Sequence, residues 1–127
     1  IPGTLSTIGD QCCVTIGDGS KIEVRIDAAR GRVGDAVTLG VRPEHIALQG
    51  PANRIETHAR FVEALGSTNF AYLDVPGLTE PLTCESQQRV ETDATLTVSL
   101  PPERLYLFDA EGRAFARAKS AAARNAA

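Results

Sequence analysis

An apolar run ended by Pro-Glu occurs twice in this chain, as Leu39-Gly40-Val41-Arg42-Pro43-Glu44-His45-Ile46 and, 59 residues later, as Val98-Ser99-Leu100-Pro101-Pro102-Glu103-Arg104-Leu105. Proline has no backbone N–H, so it ends a sheet ladder, and its fixed φ suits the first position of a helical turn. Each copy therefore predicts strand, stop, one helical turn and a new strand. Upstream, Gly34-Asp35-Ala36-Val37 is echoed by Thr92-Asp93-Ala94-Thr95 after a slip of one residue. Two related halves of one barrel would produce this pattern, with chance recurrence of a common dipeptide as the alternative.

The rest of the chain has the period of strands. Cys12, Val14 and Ile16 alternate with Cys13 and Thr15, and after Gly17-Asp18-Gly19-Ser20 the set Ile22, Val24 and Ile26 alternates with charged residues. This predicts a hairpin with one buried and one wet face. A strand over 37–41 follows the turn at Gly31–Asp35, and Gly40 inside it marks a bulge or a close backbone approach. The run 54–65 also fits helical spacing, but alternation favours a long strand with a bulge near Phe61 and Val62. Further strands are expected over 68–75, closed by Pro76-Gly77, then 82–84, 95–100, 105–108 and, past the turn at 109–112, 113–115. Eight or nine short strands without a long amphipathic helix predict an all-β antiparallel barrel or sandwich. The alanine-rich tail 116–127 is expected to be a frayed helix or disordered.

At 127 residues the chain is one domain by length and can bury roughly two-thirds of its unfolded surface. A net charge of −3 and six aromatic residues count against a phosphate-backbone groove or a base-stacking platform, and hence against nucleic acid. Cys12, Cys13 and Cys84 lack CxxC spacing and fit a reducing compartment, where cysteine fills apolar space. No apolar run approaches bilayer-spanning length. Ile1-Pro2-Gly3, without Met, suggests a piece of a longer chain.

Chemistry is sparse. His45 and His58 lie on different segments, so a zinc site would need distant ligands without supporting spacing. No nucleophile–base motif and no nucleotide-binding P-loop is present, and Gly17-Asp18-Gly19 is a hairpin turn. No catalytic, cofactor-binding or metal-ligating residues are assigned. Glu44 and Glu103 recur at equivalent places. Each either caps its helical turn or pairs with Arg42 or Arg104, or the two line a shared cleft. Arg54, Glu56, His58 and Arg60 form a solvated strand face or a partner surface.

Three boxes, LGVRPEHI at 39–46, VEALGSTNFAYLDVPG at 62–77 and SLPPERLYLFDAEGRAF at 99–115, in this order resemble the C-terminal regulatory domain of MalK-like ATP-binding subunits of ABC sugar importers. The signature positions are Gly40, Arg42, Pro43, Glu44, His45, Gly66, Pro102, Glu103 and Arg104, all expected to be mainly structural. The resemblance spans about residues 1–115 and implies an OB-like barrel of the molybdate-binding, or TOBE, type. It implies a cytoplasmic module, peripheral at the inner face of the bacterial plasma membrane. Its expected partners are a second copy, its own ATPase domain, the permease subunits reached through that domain, and in some members a phosphotransferase-system regulator. ATP and Mg²⁺ would belong to the ATPase domain, whose motifs this sequence lacks. The alternative is a module binding a small oxyanion or sugar.

Overall fold

In a computed structural model, the residues described are 1–7 and 12–117. Among them are nine strands: β1 (Pro2–Thr7), β2 (Cys12–Ile16), β3 (Lys21–Val24), β4 (Ala36–Gly40), β5 (Arg54–Leu65), β6 (Thr68–Asp74), β7 (Leu82–Ser86), β8 (Thr95–Ser99) and β9 (Tyr106–Phe108). All pairings between them are antiparallel. One sheet has the order β3-β2-β1-β4-β9, the other β7-β6-β5-β8. Single 3₁₀ turns occupy Pro43–His45 and Pro102–Arg104, immediately after β4 and β8.

Alternation puts Val14, Ile16, Ile22 and Val24 inward from the first sheet, and Ile55, Ala71, Leu73 and Cys84 inward from the second. They join one continuous core through both sheets. Each fully buried aliphatic side chain there contributes on the order of 1.5–3 kcal/mol through loss of water contact.

The two sheets are built to one plan. The order β3-β2-β1-β4 is repeated as β7-β6-β5-β8. β1 is bulged at Ser6, between the pairs Leu5–Val14 and Thr7–Cys13, and β5 at Arg60, between Ala59–Leu73 and Phe61–Tyr72. Leu5 exchanges backbone bonds with the turn before β4, accepting from Gly34 N at 2.7 Å and donating to Asp35 O at 2.9 Å. Ala59 does the same with Asp93 N at 2.8 Å and Ala94 O at 2.9 Å. Gly34 and Asp93 are accordingly the equivalent residues, both with positive φ, 97° and 70°. The one-residue slip expected from the sequence is thereby removed: the register is set by left-handed backbone geometry, which Gly34 and Asp93 share, rather than by the aspartates Asp35 and Asp93.

Beyond these four-stranded units the halves exchange. The strand after the second Pro-Glu turn, β9, pairs with β4 of the first half, with Gly40 opposite Tyr106. The residue after the first turn, Ala47, bridges Ser99 in β8 of the second half. The turns cross over too. Pro102 O accepts from Arg25 N beside β3 at 3.2 Å, whereas the first turn packs against β7, where the Cys84 thiol lies 3.6 Å from Ile46 O. Together the curled antiparallel sheets form the all-β, OB-like barrel expected.

Strand β1 has no counterpart in the sequence-based expectation, because Pro2-Gly3-Thr4-Leu5 shows no clean alternation; its register comes from β2 and β4 on either side. Gly40 answers to close approach, not a bulge: β4–β9 register is regular, and a Cβ there would meet the Phe108 ring at 3.1 Å. The tail expected from Ala116 begins with two residues docked on the first half. Residues 118–127 lie outside those described.

Candidate functional site

The signature residues gather at two corners and one hairpin tip, not in a single cleft. At the first corner Arg42 precedes the turn and is exposed, as is Glu44. His45 N donates to Arg42 O at 2.9 Å and closes the turn. The second corner repeats the bond, Arg104 N to Pro101 O at 3.0 Å, with Pro102 buried and Glu103 and Arg104 exposed. Neither Glu44 nor Glu103 forms an ion pair among the described residues, so the pairing with Arg42 or Arg104 is not seen there. Both occupy the first residues of their turns, where the exposed N–H groups favour negative charge. His45 is half-buried and its Nδ1 lacks a hydrogen-bond partner. Gly66 stands apart at the β5–β6 turn, with φ 80°.

Asn53, which sequence inspection did not single out, ties the second corner to the edge of β3. Its amide nitrogen donates to Glu23 O and Leu100 O, both at 2.8 Å, and its Oδ1 accepts from Glu23 N at 2.9 Å. Its φ of 49° is one that asparagine tolerates better than most residues.

Arg30 fastens the segment after β9. It donates to Asp109 at 2.5 Å and to the carbonyls of Arg113 and Ala114 at 3.1 and 2.9 Å, and its guanidinium lies 4.1 Å from the centre of the Phe115 ring. The bond from Arg30, reinforced by bonds from Arg113 and the Glu111 amide, holds the Asp109 carboxyl down at about 2. Farther on, Asp27 N donates to Ala116 O at 2.7 Å, and Arg117 bonds Glu103 O at 2.8 Å while lying over the Tyr106 ring at 4.4 Å. Residues 114–117 thereby cover the outer edge of β3.

A cavity of about 610 Å³ is lined by Glu44, residues 46–49 and residues 85–88. It contains the carboxylates of Glu44 and Glu85 and no lysine or arginine. Burial pushes the Cys12 and Cys84 thiols up to about 11, which keeps them protonated near neutral pH. No three His, Cys, Asp or Glu side chains cluster as a metal site among the described residues. No helix is long and apolar enough to cross a membrane among them either.

The TOBE domain family model matches residues 39–108. Three curated relatives are maltose/maltodextrin import ATP-binding proteins. That of Vibrio cholerae is 32% identical over 85% of this chain and 30% of its own length, and that of Photorhabdus laumondii 30% identical over 88% and 31%. That of Escherichia coli K12 is 35% identical over 76% and 27%. The chain therefore spans about a third or less of these relatives. Among solved structures, the cytoplasmic molybdate-binding protein ModG superposes with a TM-score of 0.73 over 84% of this chain and 92% of its own, at 14% identity, a likeness of fold. Matched across more than half its length, and from the first Pro-Glu corner through β9, the chain is a MalK-like member of the TOBE domain family.

Proposed function

We propose that this domain is the regulatory and dimerising module of the ATP-hydrolysing subunit of an ABC importer for carbohydrate or a related solute. The observation that carries the reading is the TOBE match together with the maltose/maltodextrin import ATP-binding proteins among the relatives. In this reading the domain does no chemistry. ATP and Mg²⁺ belong to an ATPase domain elsewhere in the parent chain, and the permease subunits are reached through that domain. The subunit works at the cytoplasmic face of the membrane, and a phosphotransferase-system protein is a candidate regulator. The signature residues Gly40, Arg42, Pro43, Glu44, His45, Gly66, Pro102, Glu103 and Arg104 act as corners and turn rather than as ligand contacts.

Self-association is supported by the arm of β5 beyond its bulge. Phe61 and Leu65 are 54% and 57% exposed there, and Phe61 stacks against Tyr72 with ring centres 5.8 Å apart. Apolar side chains exposed together on a protruding hairpin are typical of association surfaces.

A second reading, a module binding a small oxyanion or sugar, is favoured by the shared fold with a molybdate-binding protein. The two carboxylates in the 610 Å³ cavity oppose an oxyanion there. Calorimetry with molybdate, sulfate and maltose separates the readings: the regulatory module gives no saturable heat, and saturable binding of any of the three favours the second. The isolated domain should also release no phosphate from ATP.

A further inference from the structure

The register of the two halves assigns each residue of the 610 Å³ cavity a partner in the other half. Glu44 corresponds to Glu103, Ile46 to Leu105 and Ala47 to Tyr106, as the Pro-Glu turns and the matched bridges Gly40–Tyr106 and Ser99–Ala47 require. On the facing strand, Val14 pairs with Ile22 as Leu73 pairs with Leu82, so Glu85 corresponds to Arg25 and Gln87 to Asp27. In the first half these positions form a groove that is already filled. Ala116 O accepts from Asp27 N, Arg117 bridges Ile26 and bonds Glu103 O, and Phe115 N donates to Leu107 O at 2.8 Å. The chain's own residues 114–117 lie there as an added strand, anchored by a buried phenylalanine and an arginine.

The second half has the same groove, with no strand in it among the described residues. β7 is an edge of its sheet, and among the described residues no counterpart of the Ala116 bond reaches Gln87. An uncovered edge offers a row of backbone donors and acceptors for another strand. Its chemistry differs from the filled groove at two charged positions: glutamate stands at 85 where arginine stands at 25, and glutamine at 87 where aspartate stands at 27, so that Glu85 with Glu44 and no basic residue makes the open groove acidic.

We propose that the groove between residues 44–49 and 85–88 binds an extended peptide of another protein, bearing arginine or lysine, which adds as a strand to the outer edge of β7. Backbone bonds would supply affinity independent of sequence, and the carboxylates would select basic side chains. The proposal stands on the internal symmetry and is independent of the transporter reading.

The test uses the full 127-residue chain, labelled for NMR, and a blocked peptide of sequence GRAFARAK, copied from residues 112–119. The expected result is saturable shifts at residues 44–49 and 85–88. Binding should weaken about tenfold or more in Glu85→Lys through charge reversal, with the same loss when both arginines of the peptide are replaced by glutamate. Gln87→Pro, which deletes the exposed amide donor, should also weaken it. Glu44→Lys on the exposed turn repeats the charge test should Glu85→Lys fail to fold. Absence of saturable shifts at millimolar peptide would overturn the proposal. So would shifts confined to residues 26–28 and 103–107, where the peptide would merely exchange with the chain's own strand, or undiminished binding by the charge-reversed variants.

Discussion

Asp109 accepts from the side chains of Arg30 and Arg113 and from the amides of Glu111 and Arg113, and its side chain is only 12% exposed. Because its folded pKa lies below the unfolded carboxylate range, its stabilisation is fully present above about pH 4 and is lost as pH falls through about 2. Thermal unfolding followed from pH 6 to 2 should show wild type more stable than Asp109→Asn at pH 6, with the gap closing at the acid end. A constant gap would mean that the carboxylate charge contributes nothing. Asn53 acts through a fixed amide. Asn53→Ala removes three hydrogen bonds at once and leaves Glu23 and Leu100 backbone groups unpaired, at a cost on the order of 1–3 kcal/mol by denaturant unfolding. Asn53→Gly relieves the left-handed backbone but not the lost bonds, so it should recover only a minor part. Recovery of full stability by glycine would place the whole effect in the backbone. Nothing in the sequence around Asn53 announced this role, since its partners lie 30 and 47 residues away.

At the level of elements, the legible parts were those whose cause is local. Alternation located the hairpin of β2 and β3, and Pro43 and Pro102 marked where β4 and β8 stop. The change of phase at Phe61 signalled the bulge at Arg60. β1 was illegible because its proline and glycine suit it to an edge-like segment, and only its neighbours β2 and β4 make it a strand. The exchange between halves was illegible for another reason: Ala47 and Tyr106 are assigned to partners by three-dimensional closure, not by their neighbours in sequence. That exchange makes each half incomplete. Peptides covering residues 1–50 and 51–127 should each lack a cooperative unfolding transition, because β4 and β8 would both lose their outer partner and the shared core would be opened. Mixed, they should recover a β-rich circular-dichroism spectrum. A cooperative transition in either peptide alone would show that the halves are independent barrels.

At the scale of the whole molecule, the repeated plan accounts for the matched corners that carry the family signature, and the surface is where the halves differ. Two matched corners close one barrel, yet among the described residues it is the β3 side that carries an added strand and β5 that exposes large apolar side chains beyond its bulge. The candidate site was hard to see from sequence because, although Glu44 and Glu103 recur at matched positions, the groove also depends on the correspondence of Glu85 with Arg25, which only strand register assigns. What the sequence did carry was membership, through the boxes that build corners and turns. The central proposal built on that membership is that this domain holds two copies of an import ATP-binding subunit together. Sedimentation of the intact parent subunit without nucleotide, with and without residues 1–127, tests it most directly. The prediction is a dimer for the intact subunit and a monomer for the truncated one, with ATP hydrolysis by the truncated subunit confirming that its remaining part is folded. A truncated subunit that is folded and still dimeric would contradict it.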